Sequence, residues 1–339
     1  MAAVVTKVLL AEPRGFCAGV EMSIKALAWM VRAFPPPVFC YHEIVHNQVV
    51  VDEFKALGVH FVDDIEDVPA GAPLMLSAHG TAPDVVERAR ERTGVLVDAA
   101  CPLVTKVHKE VRQRRDSGFS IVYLGEAGHD EAVGTIGVAP TAISVVGGPS
   151  EVEQLLDPGR PVALLAQTTL PMDEWSSTRD ALRERFGEVW TPRKDDLCFA
   201  TTNRQAGVRA LARASDVVIV VGSENSSNTR SLVEIAKAAG TAAVHRVNSP
   251  AELPEGLSGV VGVTAGASAP ETTVQAVIDE FAPTDGVEVL RVVDEQEYMA
   301  PPRDLRRLQQ LRPSLHPYDF DGDRENSAAA ALDELRNRA

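Results

Sequence analysis

Along roughly the first 290 residues, short continuous β-branched runs alternate with longer stretches whose apolar residues recur every three or four positions. The runs read as strands buried on both faces, and the stretches as helices laid over them, the pattern of parallel α/β sheets. Strands are predicted at Val4–Ala11, Val38–Tyr41, Leu74–Ala78, Val95–Ala99, Ser120–Gly125, Val162–Ala166, Val217–Gly222 and Gly259–Thr264. Helices are predicted after Cys17, Asn47, Pro83, Cys101, Pro171, Cys198, Asn228 and Pro270. Gly58, Gly94, Gly118, Gly187 and Gly240 stand where such helices stop, since glycine accepts the left-handed backbone of a helix C-terminus.

Three signals recur within this alternation in the same order and in step. The first is strand, cysteine, helix, at Cys17, Cys101 and Cys198, spaced 84 and 97 residues apart. The second is a polar residue near a loop-to-helix junction: His46, His129 and Asn228 follow their cysteines by 29, 28 and 30 residues. The third is a Ser or Thr two residues before Pro at a helix start, in Thr81-Ala-Pro-Asp, Thr169-Leu-Pro-Met and Ser268-Ala-Pro-Glu. Alone, the third is an ordinary N-cap and a lone strand-end cysteine is an ordinary small hydrophobe. Together they predict three α/β modules near 1–99, 100–194 and 195–285, a pseudo-threefold trefoil whose strand C-terminal ends face a central cleft. Residues 286–339 are read as a closing segment, with Val287–Val293 as one more strand, and a solvated or partly helical tail from Arg307 onward.

Composition narrows the classes of function. A chain of 339 residues with 45% apolar residues can build real cores. A net charge of −15 argues against a broad basic face for nucleic acid or anionic lipid. Residues 301–339 carry seven basic and seven acidic side chains, so the excess charge belongs to the first 300. No apolar run reaches the roughly 18 residues of a membrane span, and no signal peptide is visible. Four cysteines, at 17, 40, 101 and 198, are too few and too scattered for a disulfide scaffold. The expectation is a soluble, acidic, cytoplasmic protein. Asp319, Asp321 and Asp323 alternate as calcium ligands do, but the rest of a calcium loop is missing, so they are read as solvated charges.

Three cysteines at helix N-termini suit metal ligation, because the helix dipole and unpaired backbone N–H groups favour thiolate. Three thiolates could hold a four-iron cluster with one iron open; zinc and unliganded core cysteines are the competing readings. Cys40 has no counterpart in the repeat and is read as a buried strand residue. His46, His79 and His129, with Ser226, Ser227, Asn228 and Ser268, would surround the centre with donors and helix N-termini, an anion site without Lys or Arg, and a phosphate or diphosphate is the natural guest. Neither dinucleotide nor P-loop glycine motif is present. Glu131, in the glycine-flanked loop Gly128-His-Asp-Glu-Ala-Val-Gly134, is a candidate proton donor if burial raises its pKa. His42 and His60, away from the junctions, are read as structural or surface histidines.

The motifs Pro13-Arg-Gly-Phe-Cys-Ala-Gly-Val20, His42-Glu-Ile-Val-His-Asn47, Ser77-Ala-His-Gly80, Asp98-Ala-Ala-Cys-Pro-Leu-Val-Thr-Lys-Val-His108, Gln167-Thr-Thr169, Asn203-Arg-Gln205, Gly222-Ser-Glu-Asn-Ser-Ser-Asn228 and Val263-Thr-Ala-Gly-Ala-Ser-Ala-Pro270 together resemble the 4-hydroxy-3-methylbut-2-enyl diphosphate reductases. The likeness spans about residues 7–306. It implies a [4Fe-4S] cluster, one per chain, on Cys17, Cys101 and Cys198, and a diphosphate held by His46, His79, His129, Ser226, Ser227, Asn228 and Ser268. Glu131 as proton source, Thr168 at the substrate hydroxyl and His129 would serve the chemistry. The resemblance further implies loss of the hydroxyl as water, two isomeric five-carbon diphosphates as products, and a ferredoxin or flavodoxin type electron donor. A cluster-dependent dehydratase of a small anion is the alternative. Asp130 stands where many members have Pro, Phe199 differs, and the tail after Arg306 has no counterpart; none of these is expected to touch a ligand.

Overall fold

The computed structural model describes residues 4–193, 195–311 and 327–337. In chain order its elements are β1 (Val5–Glu12), α1 (Ala18–Ala33), β2 (Val38–Tyr41), α2 (Gln48–Ala56), β3 (Val59–Val62), β4 (Pro73–Leu76), α3 (Pro83–Arg92), β5 (Val95–Asp98), α4 (Pro102–Asp116), β6 (Ser120–Leu124), α5 (Asp130–Ile136), β7 (Ile143–Val146), β8 (Val162–Ala166), α6 (Met172–Phe186), β9 (Val189–Trp190), α7 (Phe199–Ala214), β10 (Val217–Val221), α8 (Ser227–Ala238), β11 (Ala243–Val247), β12 (Gly259–Ala265), α9 (Glu271–Phe281), β13 (Val287–Arg291), α10 (Arg303–Leu311) and α11 (Ala328–Arg336). The strands form three wholly parallel sheets ordered β3-β2-β4-β5, β7-β6-β8-β9 and β11-β10-β12-β1-β13.

Each sheet places its first four strands by one plan, and the fourth strand leads into a cysteine. β5 precedes Cys101 and β9 precedes Cys198; in the third sheet that place belongs to β1, which precedes Cys17. β1, which the ninety-residue division counts with the first module, thus pairs with β12 and β13 instead of β2 or β4. The repeating strand, cysteine, helix signal therefore marks the joints where the chain leaves one sheet for the next.

All eight strands predicted in the alternating part are present, and the one at Val287–Val293 appears as β13. Four further strands, β3, β7, β9 and β11, escaped the pattern, and all four are sheet edges. An edge strand is covered less completely and tolerates polar residues, so its β-branched run is short or broken, as in Val59-His-Phe-Val62 and Ala243-Val-His-Arg-Val247. Central strands show the opposite: Val218–Val221 of β10 and all five residues of β8 are buried.

Of the tail, read as solvated or partly helical, the described part from Ser327 is helical and packs onto the core. Ala328, Ala331, Leu332 and Leu335 form an apolar stripe on α11 that joins the core around α1, and Leu305 of α10 is buried beside them. This cover is why α1 is buried on nearly every side, with Trp29 and Met30 fully enclosed. The Glu21 carboxylate accepts from Ala328 N at 2.6 Å, anchoring the start of α11 to the first turn of α1. Asp319, Asp321 and Asp323 lie outside the described residues.

Candidate functional site

Cys17, Cys101 and Cys198 are the N-cap residues of α1, α4 and α7. Their main chains are held alike: Cys17 N donates to Ala267 O at 3.1 Å, Cys101 N to Ala78 O at 2.9 Å and Cys198 N to Thr168 O at 3.0 Å. Each acceptor lies two residues past the end of the neighbouring strand, β12, β4 or β8. The three thiols converge on one cavity of about 110 Å³, whose lining also includes His46, His79, His129, Glu131, Thr168, Ser226, Ser227, Asn228 and Ser268. Every residue assigned to the site from sequence thus borders the same space. Cys40 is fully buried in β2, away from it.

At Cys101 and Cys198 the thiol pKa moves against the expected lowering. Burial pushes the Cys101 and Cys198 thiols up, Cys198 to about 12, and the neighbouring Cys17 adds to it. The helix N–H groups of Leu103 and Val104, and of Ala200 and Thr201, act in the opposite direction but do not prevail. Thiols removed from water and set beside one another favour the thiolate form when a cation lies among them.

The other end of the cavity is polar. His129 is the N-cap of α5, and its Nδ1 accepts from Glu131 N at 3.1 Å, so the neutral ring carries its proton on Nε2. Burial lowers its pKa to about 4, which keeps the ring neutral, and holds His79 well below the usual histidine range. His46 and His79 stack with ring centroids 3.9 Å apart, and His46 Nδ1 lies 3.2 Å from the Glu43 carboxylate. Asn228 Oδ1 accepts from Ala267 N at 2.9 Å, which turns the amide nitrogen inward. His46 Nε2, His79 Nδ1, His129 Nε2 and Asn228 Nδ2 are all buried without a hydrogen-bond partner. These four nitrogens belong to residues that line one cavity, and a nitrogen that carries a proton there suits an acceptor oxygen.

Hydroxyls complete the ring. Ser226 caps α8 by accepting from Thr229 N, and Ser268 Oγ donates to His46 O at 2.9 Å. Ser227 Oγ lies 2.7 Å from Glu126 and 3.1 Å from both Thr169 Oγ1 and Gln167 Nε2. The Ser or Thr of the third repeated signal is not a cap: the N-cap residues of α3, α6 and α9 are Ala82, Pro171 and Pro270, with no side-chain cap. Counted from the strand ends, the equivalent positions are His79, Thr169 and Ser268, three residues beyond β4, β8 and β12. Pro at or beside the helix start supplies the turn, leaving these side chains free to face the cavity.

Glu131 lies in a helix, α5, where a glycine loop was expected. Gly134 is tolerated there because Gly80 O passes so close that a Cβ would sit 2.4 Å from it. Glu131 Oε1 accepts from Thr168 N at 2.7 Å and Oε2 from Thr168 Oγ1 at 3.0 Å. Burial lifts its pKa to about 7 despite those two bonds, with Asp196 adding to the rise. A carboxyl so poised can hold and release a proton near neutrality.

Two groups escaped the sequence reading. Asp130, assigned no ligand contact, lies 2.8 Å from His42 Nδ1 and places its other oxygen 3.7 Å from His46 Nε2 and 3.8 Å from His79 Nδ1. His42, read as structural or surface, pairs with Asp130 and lines a neighbouring pocket, in a left-handed backbone with φ +58°. Gln167 was visible only as part of a motif; it accepts from Glu126 N at 3.0 Å and donates to Thr169 and Ser227. The signals for Asp130 were its adjacency to His129 and its place where many members of the resembled family have Pro.

Comparison with known proteins follows the same lines. The family model described as LytB protein matches residues 8–282. The 4-hydroxy-3-methylbut-2-enyl diphosphate reductase of Acidothermus cellulolyticus is 47% identical over 308 residues, 89% of this chain and 90% of the relative. That of Rhodopirellula baltica is 45% identical, covering 88% and 96%. Among solved structures, the E-1-hydroxy-2-methyl-but-2-enyl-4-diphosphate reductase of Plasmodium falciparum superposes with a TM-score of 0.86 at 29% identity, over 91% of this chain and 99% of that one. An (E)-4-hydroxy-3-methyl-but-2-enyl diphosphate reductase described as the terminal enzyme of the non-mevalonate pathway gives 0.59 at 29% identity, covering 81% and 99%.

Proposed function

The chain belongs to the LytB protein family, and on that premise we propose that Cys17, Cys101 and Cys198 hold one [4Fe-4S] cluster beside a diphosphate bound by the polar end of the cavity. The activity is the family's, reduction of 4-hydroxy-3-methylbut-2-enyl diphosphate, an oxidoreductase step of the non-mevalonate pathway. The donor set fits the cluster: three convergent thiols on helix N-caps, with mutual repulsion that a cationic guest relieves. When bound, the cluster supplies single electrons and an open iron that acts as a Lewis acid.

The remaining work falls to the chain. His46, His79, His129, Ser226, Ser227, Asn228 and Ser268 bind the diphosphate, and their distance from the reacting carbon makes them orienting groups. His129 donates from Nε2 as a neutral ring. Thr168 Oγ1, fixed against Glu131, is placed to meet the substrate hydroxyl. Glu131 holds the proton that departs with that hydroxyl as water. Two electrons and two protons convert the alcohol to water plus isopentenyl or dimethylallyl diphosphate. Electrons come one at a time from a ferredoxin or flavodoxin type partner. Free cysteines go with a reducing, cytoplasmic setting.

The observation that carries this reading is the convergence of three capping cysteines and four unpartnered nitrogens on one cavity. Anaerobic purification should give a brown protein with about four irons per chain. Turnover of the allylic diphosphate should require a one-electron reductant. A colourless protein with full activity would falsify the cluster, and turnover without reductant would identify a dehydratase instead.

A further inference from the structure

The chain between β13 and α10 runs across the sulfur end of the cavity. Within residues 292–300 only Val293, Glu295 and Met299 turn away from solvent. Glu295 accepts from Arg204 Nη1 at 3.1 and 3.2 Å and from Asn203 Nδ2 at 2.8 Å. The Arg204 side chain is 1% exposed and bonded on every side. Its Nε and Nη2 donate to Gly15 O at 3.1 and 2.8 Å, Nη2 also to Phe16 O at 3.3 Å, and Nη1 to Ala200 O at 2.9 Å. Gly15 and Phe16 lead into Cys17, and Ala200 lies two residues past Cys198. At the third junction, Met299 Sδ is 3.8 Å from Cys101 Sγ. Gly19 lets the first turn of α1 close on this pair, since a Cβ there would lie 2.9 Å from Cys101 Sγ and 3.7 Å from Met299 Sδ.

One buried cation thus ties two cysteine junctions to a strap whose methionine covers the third. We infer that Arg204 and Glu295 are positioning residues for the metal cluster and that Met299 shields the Cys101 sulfur from water and oxygen. The inference rests on the proposed cluster. Solvent access to ligating sulfurs governs how readily a cluster is lost, and groups behind the ligands govern how well it is held. A thioether suits the place because it is apolar, polarisable and adaptable in shape. The buried ion pair gives the strap one seat, since removal of the carboxylate strands a desolvated guanidinium.

The test exposes anaerobically loaded wild type, Met299→Ala, Met299→Leu and Glu295→Gln to air while visible absorbance and released iron are followed. Met299→Ala and Glu295→Gln should bleach roughly 10–100-fold faster than wild type. Met299→Leu, which refills the volume, should stay near the wild-type rate. Bleaching of both Met299→Ala and Glu295→Gln at the wild-type rate overturns the inference. A second readout needs no cluster: in metal-free protein a maleimide probe should label Cys101 faster in Met299→Ala than in wild type, with Cys17 and Cys198 unchanged. Equal labelling refutes the shield. Wild-type protein that never takes up iron refutes the cluster instead, and the labelling result still decides the role of Met299.

Discussion

The two ends of the cavity are built by different means. At the sulfur end the backbone does the placing: each cysteine caps a helix, and its N–H is pinned to the end of a neighbouring parallel strand. At the polar end side chains do it, through the network of Glu43, Glu126, Gln167 and Ser227, and four buried nitrogens remain without partners. The difference separates two tasks. On the proposed reading, a cofactor that stays through many turnovers would be held by the main chain, and a substrate that comes and goes would be met by side chains whose hydrogen bonding it completes.

That contrast breaks most visibly at the thiols. Cys101→Ser should abolish both iron retention and turnover, read by iron analysis; an equal loss of iron from a polar-end variant would erase the distinction. Glu131→Gln comes next, with kcat reduced about 10²–10⁴-fold and iron content unchanged. Since Glu131 titrates near 7, kcat of the wild type should fall as pH rises through that value. The folded state then holds a proton that the unfolded state has lost, so the stability Glu131 contributes declines as pH rises from the ordinary carboxylate range to about 7. The Tm of wild type relative to Glu131→Gln, followed against pH, shows whether it does.

Asn228→Ala should weaken binding of inorganic diphosphate by roughly 10–100-fold in calorimetry, the value of one hydrogen bond to a charged group, and leave the cluster in place. Leu332→Ala in α11 touches neither end; it should lower Tm, by about 2–4 kcal/mol of stability, with KM and iron content unmoved. The smallest effect belongs to Asp130→Asn. Burial works against protonation of His42, and the Asp130 carboxylate overcomes it to raise the pKa. The variant should move the His42 titration to lower pH in an NMR experiment. Stability from that pair is fully present below the ordinary histidine pKa and is lost as pH climbs through the raised value.

Much of the fold was legible because parallel strands buried on both faces are continuous apolar runs, as in Val217-Val-Ile-Val-Val221. What escaped was governed by partial cover: the edge strands β3, β7, β9 and β11, and the stripe on α11, whose four apolar positions are too few to stand out in an Ala-rich stretch. The repeat located the cysteines, but pairing between distant segments, such as β1 with β12, has no local signature. Within the site, His129 and Asn228 were visible from spacing alone. Asp130, Arg204 and Glu295 were not, because their meaning lies in partners up to 189 residues away and a charged residue by itself reads as solvated surface.

The place of β1 also fixes an order of assembly. Val5 and Val8 pair with Gly259 and Val261 on one side, and Val8 with Val287 on the other. β1 is made well before β12 and β13 and must therefore wait, unpaired, until its partners from Gly259 onward have followed it. The two four-stranded sheets can close from contiguous sequence in the meantime. Cys17 reaches its seat only when β1 docks, so the chain offers a complete set of three sulfurs only once its last sheet has closed.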